Sequence, residues 1–268
     1  MKRGKIDWVV AFSFVILGLF LACALFAPYI APYPYDMQNR DRPLDPPSSL
    51  HWLGTDELGR DVLSRLIYGA RVSAGVGLGV EAVALFIAFL IGTTAGYFRG
   101  RWDTVAMRAT DAMFAFPDIL LAILIIGISG PGIKGVFVAL IVVGWPSMTR
   151  LLRGMTLTLR EREFVIAAKS IGVSELAILR GHILPHLTRA ALAAATVEIA
   201  GLILAESALS FIGLGVQPPY PSWGSMISQA REQMRSNPGL LIYPCVSLSL
   251  VVMSFTFVGE WLQQKMKR

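Results

Sequence analysis

Six apolar stretches run through the chain, at about 9–28, 74–98, 105–129, 133–150, 188–213 and 239–262, separated by short polar or basic segments. About 20 residues at a helical rise of ~1.5 Å cross ~30 Å of hydrocarbon. None of the runs alternates polar and apolar residues as the strands of a membrane barrel do. In lipid every backbone polar group must be paired within the spanning structure. The pattern therefore predicts an all-α fold, a polytopic membrane bundle of six transmembrane helices. The third run opens on the semi-polar MRATDAMFAFPD before ILLAILIIG. Pro117 is expected to kink or bound it, because proline removes a backbone donor.

The segment 151–187, between the fourth and fifth runs, has a different pattern. It contains REFVIAAKSIGVSELAILRGHILP (162–185), in which Phe164, Ala167, Ala168 and Ile171 fall on one helical stripe. Gly172 suits a helix end that needs a left-handed residue. Ser174 can cap a following helix, with Glu175 at its positive end. The expected shape is a helix, a tight turn and a second helix projecting from the membrane. Small side chains at Ala167, Ala168 and Gly172 would let another surface come close. A connector lying on the membrane fits the same pattern.

Composition places the chain among membrane proteins: 54% of residues are hydrophobic and only 16% charged, against roughly 25% charged in a soluble domain. The net charge of +6 is explained by topology and gives no reason to invoke nucleic acid. With both termini in the cytoplasm, two thirds of the 24 Lys and Arg residues fall in 1–8, 99–108, 149–189 and 262–268. This obeys the positive-inside rule, and the opposite orientation breaks it in the longest basic loop. The start, MKRGKIDW followed by apolar residues, resembles a signal peptide, but the run ends in PYIAPYPY without a clean cleavage pattern. It is read as the first transmembrane helix. Cys23 and Cys245 lie inside apolar runs and are expected to pack rather than to pair.

Polar residues elsewhere give weaker signals. In 51–73, Val62, Leu63, Leu66, Ile67 and Ala70 share one helical face, while Arg60, Asp61, Ser64, Arg65 and Arg71 lie mostly on the other. This predicts a helix on the outer membrane surface before the second span, either a lid over the first loop or a docking surface. The outer segment GVQPPYPSWGSMISQAREQMRSNPG, with Trp223, suits an interfacial anchor and equally an outer gate or docking surface. Glu81, Glu198 and Glu206 fall within spans, where acidic groups face a bundle interior or water. Glu198 and Glu206 are candidates for lining a translocation path, with Glu206 equally able to tie helices together. His182 and His186 stand four apart, yet Pro185 intervenes and no carboxylate follows at ligand spacing, so no metal site is expected. No G-x-x-x-x-G-K-[ST], H-E-x-x-H or G-x-S-x-G occurs. The chain is thus not expected to be an enzyme or to bind a cofactor.

Three stretches carry a resemblance. In 162–185, Ala167, Ala168, Gly172 and the ending His182-Ile183-Leu184-Pro185 resemble the E-A-A-x-x-x-G loop of ATP-binding-cassette importer permeases. Ile166 replaces the acidic first residue, and Glu163 is the nearest substitute. HWLGTDELGRDVLSRLIYGARVS (51–73) and ALSFIGLGVQPPYPSWGSMI (208–227) are similar to the C-type permeases of peptide and nickel importers. The resemblance implies a transport subunit of the cytoplasmic (inner) membrane, with peptides as first substrate and nickel or a nickel chelate as second. Its implied partners are a homologous B-type permease, two cytoplasmic ATPases that carry ATP and Mg2+, and an external substrate-binding protein. The bent segment would be a coupling helix, with Glu163, Ala167, Ala168, Gly172, Val173 and Ser174 at the ATPase. Arg60, Asp61 and Trp223 would be docking candidates outside. The chain would divide into 1–73 and a core permease 74–268. A stand-alone secondary transporter using Glu198 and Glu206 as ion ligands is the rival. An intramembrane enzyme lacks a nucleophile and base pair.

Overall fold

The computed structural model describes residues 8–266; Lys2, Arg3, Lys5, Lys267 and Arg268, counted above as cytoplasmic, lie outside them. Among the described residues the regular structure is helical, with a single isolated bridge between Thr55 and Asp61. The helices are α1 (Trp8–Ile30), α2 (Val62–Phe98), α3 (Gly100–Phe114), α4 (Asp118–Ser129), α5 (Ile133–Arg160), α6 (Glu163–Ser170), α7 (Glu175–Phe211), α8 (Trp223–Ala230) and α9 (Gly239–Met266). Five of them, α1, α2, α5, α7 and α9, are long and apolar enough to cross a membrane. The bent pair α3–α4 makes a sixth if counted as one span.

The third run is not a single straight span. It divides into α3 and α4, set at 90° to each other. Pro117 occupies the helix-start position of α4 with an extended backbone, and its carbonyl accepts from the amides of Leu120 and Leu121. The missing proline N–H and the extended conformation stop α3 from continuing through this point.

Two other helices are longer than their apolar runs. α5 continues to Arg160, and α7 begins at Glu175 and passes through a π-helical turn at Leu179–Ile183. At ~1.5 Å per residue, the 37 residues of α7 extend about 55 Å, well beyond a ~30 Å hydrocarbon layer. The surplus at 175–187 places the bent segment beyond the end of the apolar run that begins near residue 188.

The separate interfacial helix expected over 51–73 does not form. Residues from Val62 onward are the first turns of α2, which runs unbroken past residue 73 into the second span. Asp61 caps it, accepting from the Ser64 amide. Most of the polar face is buried along with the apolar one, because residues 31–61 and α8 fold over it: Ser64 and Arg65 are as enclosed as Val62 and Ala70, and Arg71 alone of the face stays exposed.

Three apolar clusters hold the bundle. One joins Leu17, Phe20, Val62, Ile203, Trp223 and Phe255. A second, at the end bearing α6, joins Tyr97, Leu152, Val165, Ile178, Ile183 and Leu187. A third joins α4 to α2, α5 and α7 through Val76, Ile126, Val136, Leu140 and Leu209. Fewer than half the residues in each spanning window are buried within the chain, and Leu120, Leu124 and Ile128 stand exposed along α4. Lipid or a second subunit must cover so much apolar surface.

α2 and α5 approach backbone to backbone where small residues recur four apart. A Cβ at Gly92 would lie 2.6 Å from the Thr149 carbonyl, and one at Gly96 would lie 2.8 Å from the Arg153 carbonyl. In lipid such close contact replaces the hydrophobic effect as the attraction between helices. Gly96→Leu is expected to destabilise the chain by about 1–3 kcal/mol through overpacking. Thermal unfolding in detergent checks this, and an unchanged midpoint would mean the two helices can separate freely.

Candidate functional site

The bent segment is built from its two ends. Arg162, in extended conformation, precedes α6, and Glu163 places a negative charge in its first turn. Gly172, at φ +83°, reverses the chain. The Val173 amide donates to the Ala168 carbonyl at 3.1 Å and the Gly172 amide to the Lys169 carbonyl at 3.0 Å. This is a Schellman ending, which needs a left-handed residue at Gly172. Lys169 Nζ pairs with Glu175 Oε1 at 3.2 Å across the turn. Ser174 stands at the start of α7 without a side-chain capping bond. The expected cap is therefore absent, and the Ser174 side chain stands exposed instead.

Orientation divides the residues of the motif. Val165 and Ala168 point inward against the cluster of Leu152, Ile178 and Leu187. Ala168 is thus part of the chain's own core, and the expectation that it admits another surface is corrected. Glu163, Ala167 and Gly172 are exposed, and Val173 is half-buried. Around them Ile166 is 54% exposed, Ile171 81% and Leu176 51%. The result is an apolar tip on a tightly anchored base. Phe164 stacks on His186 with ring centroids 5.1 Å apart, and His186 Nδ1 donates to the His182 carbonyl at 2.7 Å. The histidine pair thus joins α6 to α7. Val165 and Ile178, which set the direction of the tip, went unremarked in the sequence; their signal was fixed spacing from Gly172 on either side.

Charged pairs connect this end to the bent span. Arg153 Nη2 donates to Asp103 Oδ2 at 2.6 Å, Arg150 Nη2 to Asp111 Oδ1 at 2.6 Å, and Arg99 pairs with Glu161 at 2.5 Å. Arg150 also lies over the Phe114 ring, 4.2 Å from its centroid. A movement of α5 would accordingly be passed to α3.

The acidic residues of the spans differ from one another. Glu206 is fully enclosed: Ser210 Oγ donates to it at 2.7 Å, and Ser73 and Ser207 approach at 3.4 Å. It links α7 to α2 and lines no open path in this conformation. Glu198 is half-buried and accepts from the exposed Ser147 at 3.0 Å. Glu81 is 5% exposed, and its Oε1 has no hydrogen-bond partner among the described residues.

At the opposite end, the docking candidates are inside the fold. Asp61 is held by His51 Nδ1 at 2.9 Å and by the Ser64 amide and hydroxyl at 2.7 Å each. Trp223 packs on Phe20 and donates Nε1 to the Leu66 carbonyl at 3.0 Å. Arg60 is 6% exposed. Asp61 and Trp223 are taken up by internal polar partners, and Arg60, paired with Asp56, borders a cavity, so none of the three stands on the open surface. Tyr35 stacks on Tyr220 and meets Tyr68 at a tilt, and burial, helped by Tyr220, holds its phenol above the usual value.

Residues 88–268 match the family described as binding-protein-dependent transport system inner membrane component. The chain belongs to this family. Residues 7–47 of the permease also match the N-terminal TM domain of oligopeptide transport permease C. It is 39% identical to the dipeptide transport system permease protein DppC of Alkalihalophilus pseudofirmus, over 98% of this chain and 86% of that protein. It is 40% identical to the glutathione transport system permease protein GsiD of Pectobacterium atrosepticum, over 93% of this chain and 84% of that one. Among solved structures, inward-facing forms of the MetNI methionine ABC transporter share its fold. One aligns with a TM-score of 0.58 at 18% identity, covering 77% of the permease and 98% of the solved chain; another scores 0.55 at 20% identity. The C-type permease resemblance read from the three motifs is borne out.

Proposed function

We propose that this permease imports short peptides across the cytoplasmic membrane by alternating access, and that its Glu163–Gly172 elbow receives the power stroke. The carrying observation is the exposed apolar tip at Ile166 and Ile171 on a base fixed by Val165 and Ala168. A rigid knob of this kind can seat in a cleft of a separate protein and transmit its movement to α5 and α7. ATP and Mg2+ are bound by two partner ATPases, since the chain carries no phosphate-binding loop of its own. A homologous B-type permease covers the open faces, and an external binding protein delivers the peptide. Both termini and the elbow then lie on the cytoplasmic side, where the Lys and Arg bias places them. The names of the relatives, which concern dipeptide and glutathione transport, favour peptides over nickel.

Inverting a conformational equilibrium from 1:99 to 99:1 takes about 5.5 kcal/mol of differential binding, which on this reading the ATPases supply. The test is uptake of a radiolabelled dipeptide and of nickel into proteoliposomes holding the assembled complex, with and without ATP. ATP-dependent dipeptide uptake is expected. Uptake by the isolated chain driven by an ion gradient would overturn the reading, and ATP-driven uptake of nickel alone would overturn the substrate.

A further inference from the structure

Where residues 56–65 meet α8, at the end of the bundle remote from the elbow, the fold forms a half-open cavity of about 290 Å³. Two arginines border it, and both are buried: Arg60 is 6% exposed and Arg65 2%. They share a single counter-ion. Arg60 Nε lies 2.7 Å and Arg65 Nε 3.4 Å from the same oxygen, Asp56 Oδ2. The other oxygen, Oδ1, accepts from the amides of Leu58 and Arg60 at 2.9 and 3.0 Å. Asp56 therefore has little left to give.

The other acids nearby do not restore the balance. Asp61 is committed to Ser64 and His51, and Glu57 is exposed at the rim. Arg65 Nη1 donates to the Tyr35 carbonyl at 3.2 Å, and Arg60 Nη2 to Gln229 Oε1 at 3.4 Å. Arg60 Nη1 and Arg65 Nη2 make no hydrogen bond among the described residues, and both arginines line the cavity. Two guanidinium groups thus border a half-open cavity with one spent carboxylate between them. An unmatched buried cation is costly, and an anion placed against it relieves that cost.

The geometry of the site selects the anion. A guanidinium presents its donors in a planar fork that matches a carboxylate. Beside the fork the wall is apolar, formed by Val62, Met226 and Leu240. The volume is at the small end of ligand pockets, roughly 300–1,000 Å³, so it suits one residue rather than a whole peptide. We propose that the cavity binds the C-terminal carboxylate of a short peptide, with the terminal side chain against Val62, Met226 and Leu240. This rests on the peptide-import reading and gives the permease a selective contact of its own.

The experiment compares alanyl-leucine with alanyl-leucinamide, which differ only in the terminal charge, by calorimetric titration of the full chain in lipid nanodiscs. The free acid is expected to bind at least about tenfold more tightly than the amide, the discrimination expected of a charge-assisted hydrogen bond. Arg60→Gln is expected to erase that preference. Leu58→Trp, at a cavity-lining residue that is 40% exposed and outside the apolar core, fills the space without touching the ion pairs and is expected to abolish binding with the unfolding midpoint unchanged. Equal binding of acid and amide, undiminished binding by Leu58→Trp, or no binding by the unmodified chain would each overturn the site. ATP-driven uptake by the assembled complex is measured in parallel. Loss of the site with peptide uptake intact removes this proposal alone, whereas absence of any peptide uptake removes the import reading beneath it.

Discussion

Gly172→Val is expected to cut ATP-driven uptake by at least about tenfold, a change equivalent to ~1.4 kcal/mol, while the chain still inserts and folds. The reason is conformational. Gly172 sits at φ +83°, yet a Cβ there would meet nothing within 4 Å. No clash inside the chain opposes a larger side chain; the left-handed backbone does, at about 1–2 kcal/mol for an ordinary residue and more for a β-branched one. Relieving that strain breaks the two amide bonds to Ala168 and Lys169 and turns the apolar tip away from its direction. ATP hydrolysis by the partners is expected to continue without transport. Gly172→Asn is the control, because asparagine tolerates the left-handed region, and it should retain most of the uptake. Proteoliposome transport and phosphate release, measured together, check both variants. Normal transport by Gly172→Val would remove the elbow from the mechanism.

Glu206→Ala is expected to lower stability by about 2–4 kcal/mol, from the cavity left behind and from the hydroxyls deprived of their acceptor. Ser73 reaches Glu206 from α2, and Ser207 and Ser210 from α7 itself. Ser210 in turn accepts from the Val216 amide at 3.2 Å, so the damage spreads to the loop that follows. Glu206→Gln keeps an acceptor in the same place and should cost less than half as much. Thermal unfolding in detergent separates the two. If Glu206→Ala unfolds like the parent but transports poorly, the carboxylate serves the path and is not a tie.

Much of the elbow could be read in advance. Gly172 as a left-handed stop and Glu175 as the opening charge of the next helix depend on residues within one or two turns, and both stand as expected. The docking candidates could not be read. Arg60, Asp61 and Trp223 look like surface residues because each is polar or amphipathic and lies in a loop-rich stretch. Asp61 pairs locally with Ser64 and His51, but the contacts that bury its neighbours are far away in the chain: Arg60 reaches Gln229 across 169 residues and Trp223 reaches Leu66 across 157. Helical spacing carries no information at that range. The same holds for Glu206, whose partner Ser73 is 133 residues distant, and for Ala168, which could face outward or inward until α5 and α7 closed around it.

The sequence by itself determined that this chain crosses a membrane, roughly where it does so, and where its elbow bends. Those properties follow from the length of apolar runs against a fixed hydrocarbon thickness and from local backbone preferences. Only the tertiary structure decided which polar groups are spent on one another and which remain free. Burial and pairing depend on helices that meet in space, so the vacant donors of Arg60 and Arg65 became visible only once α8 had closed over the start of α2.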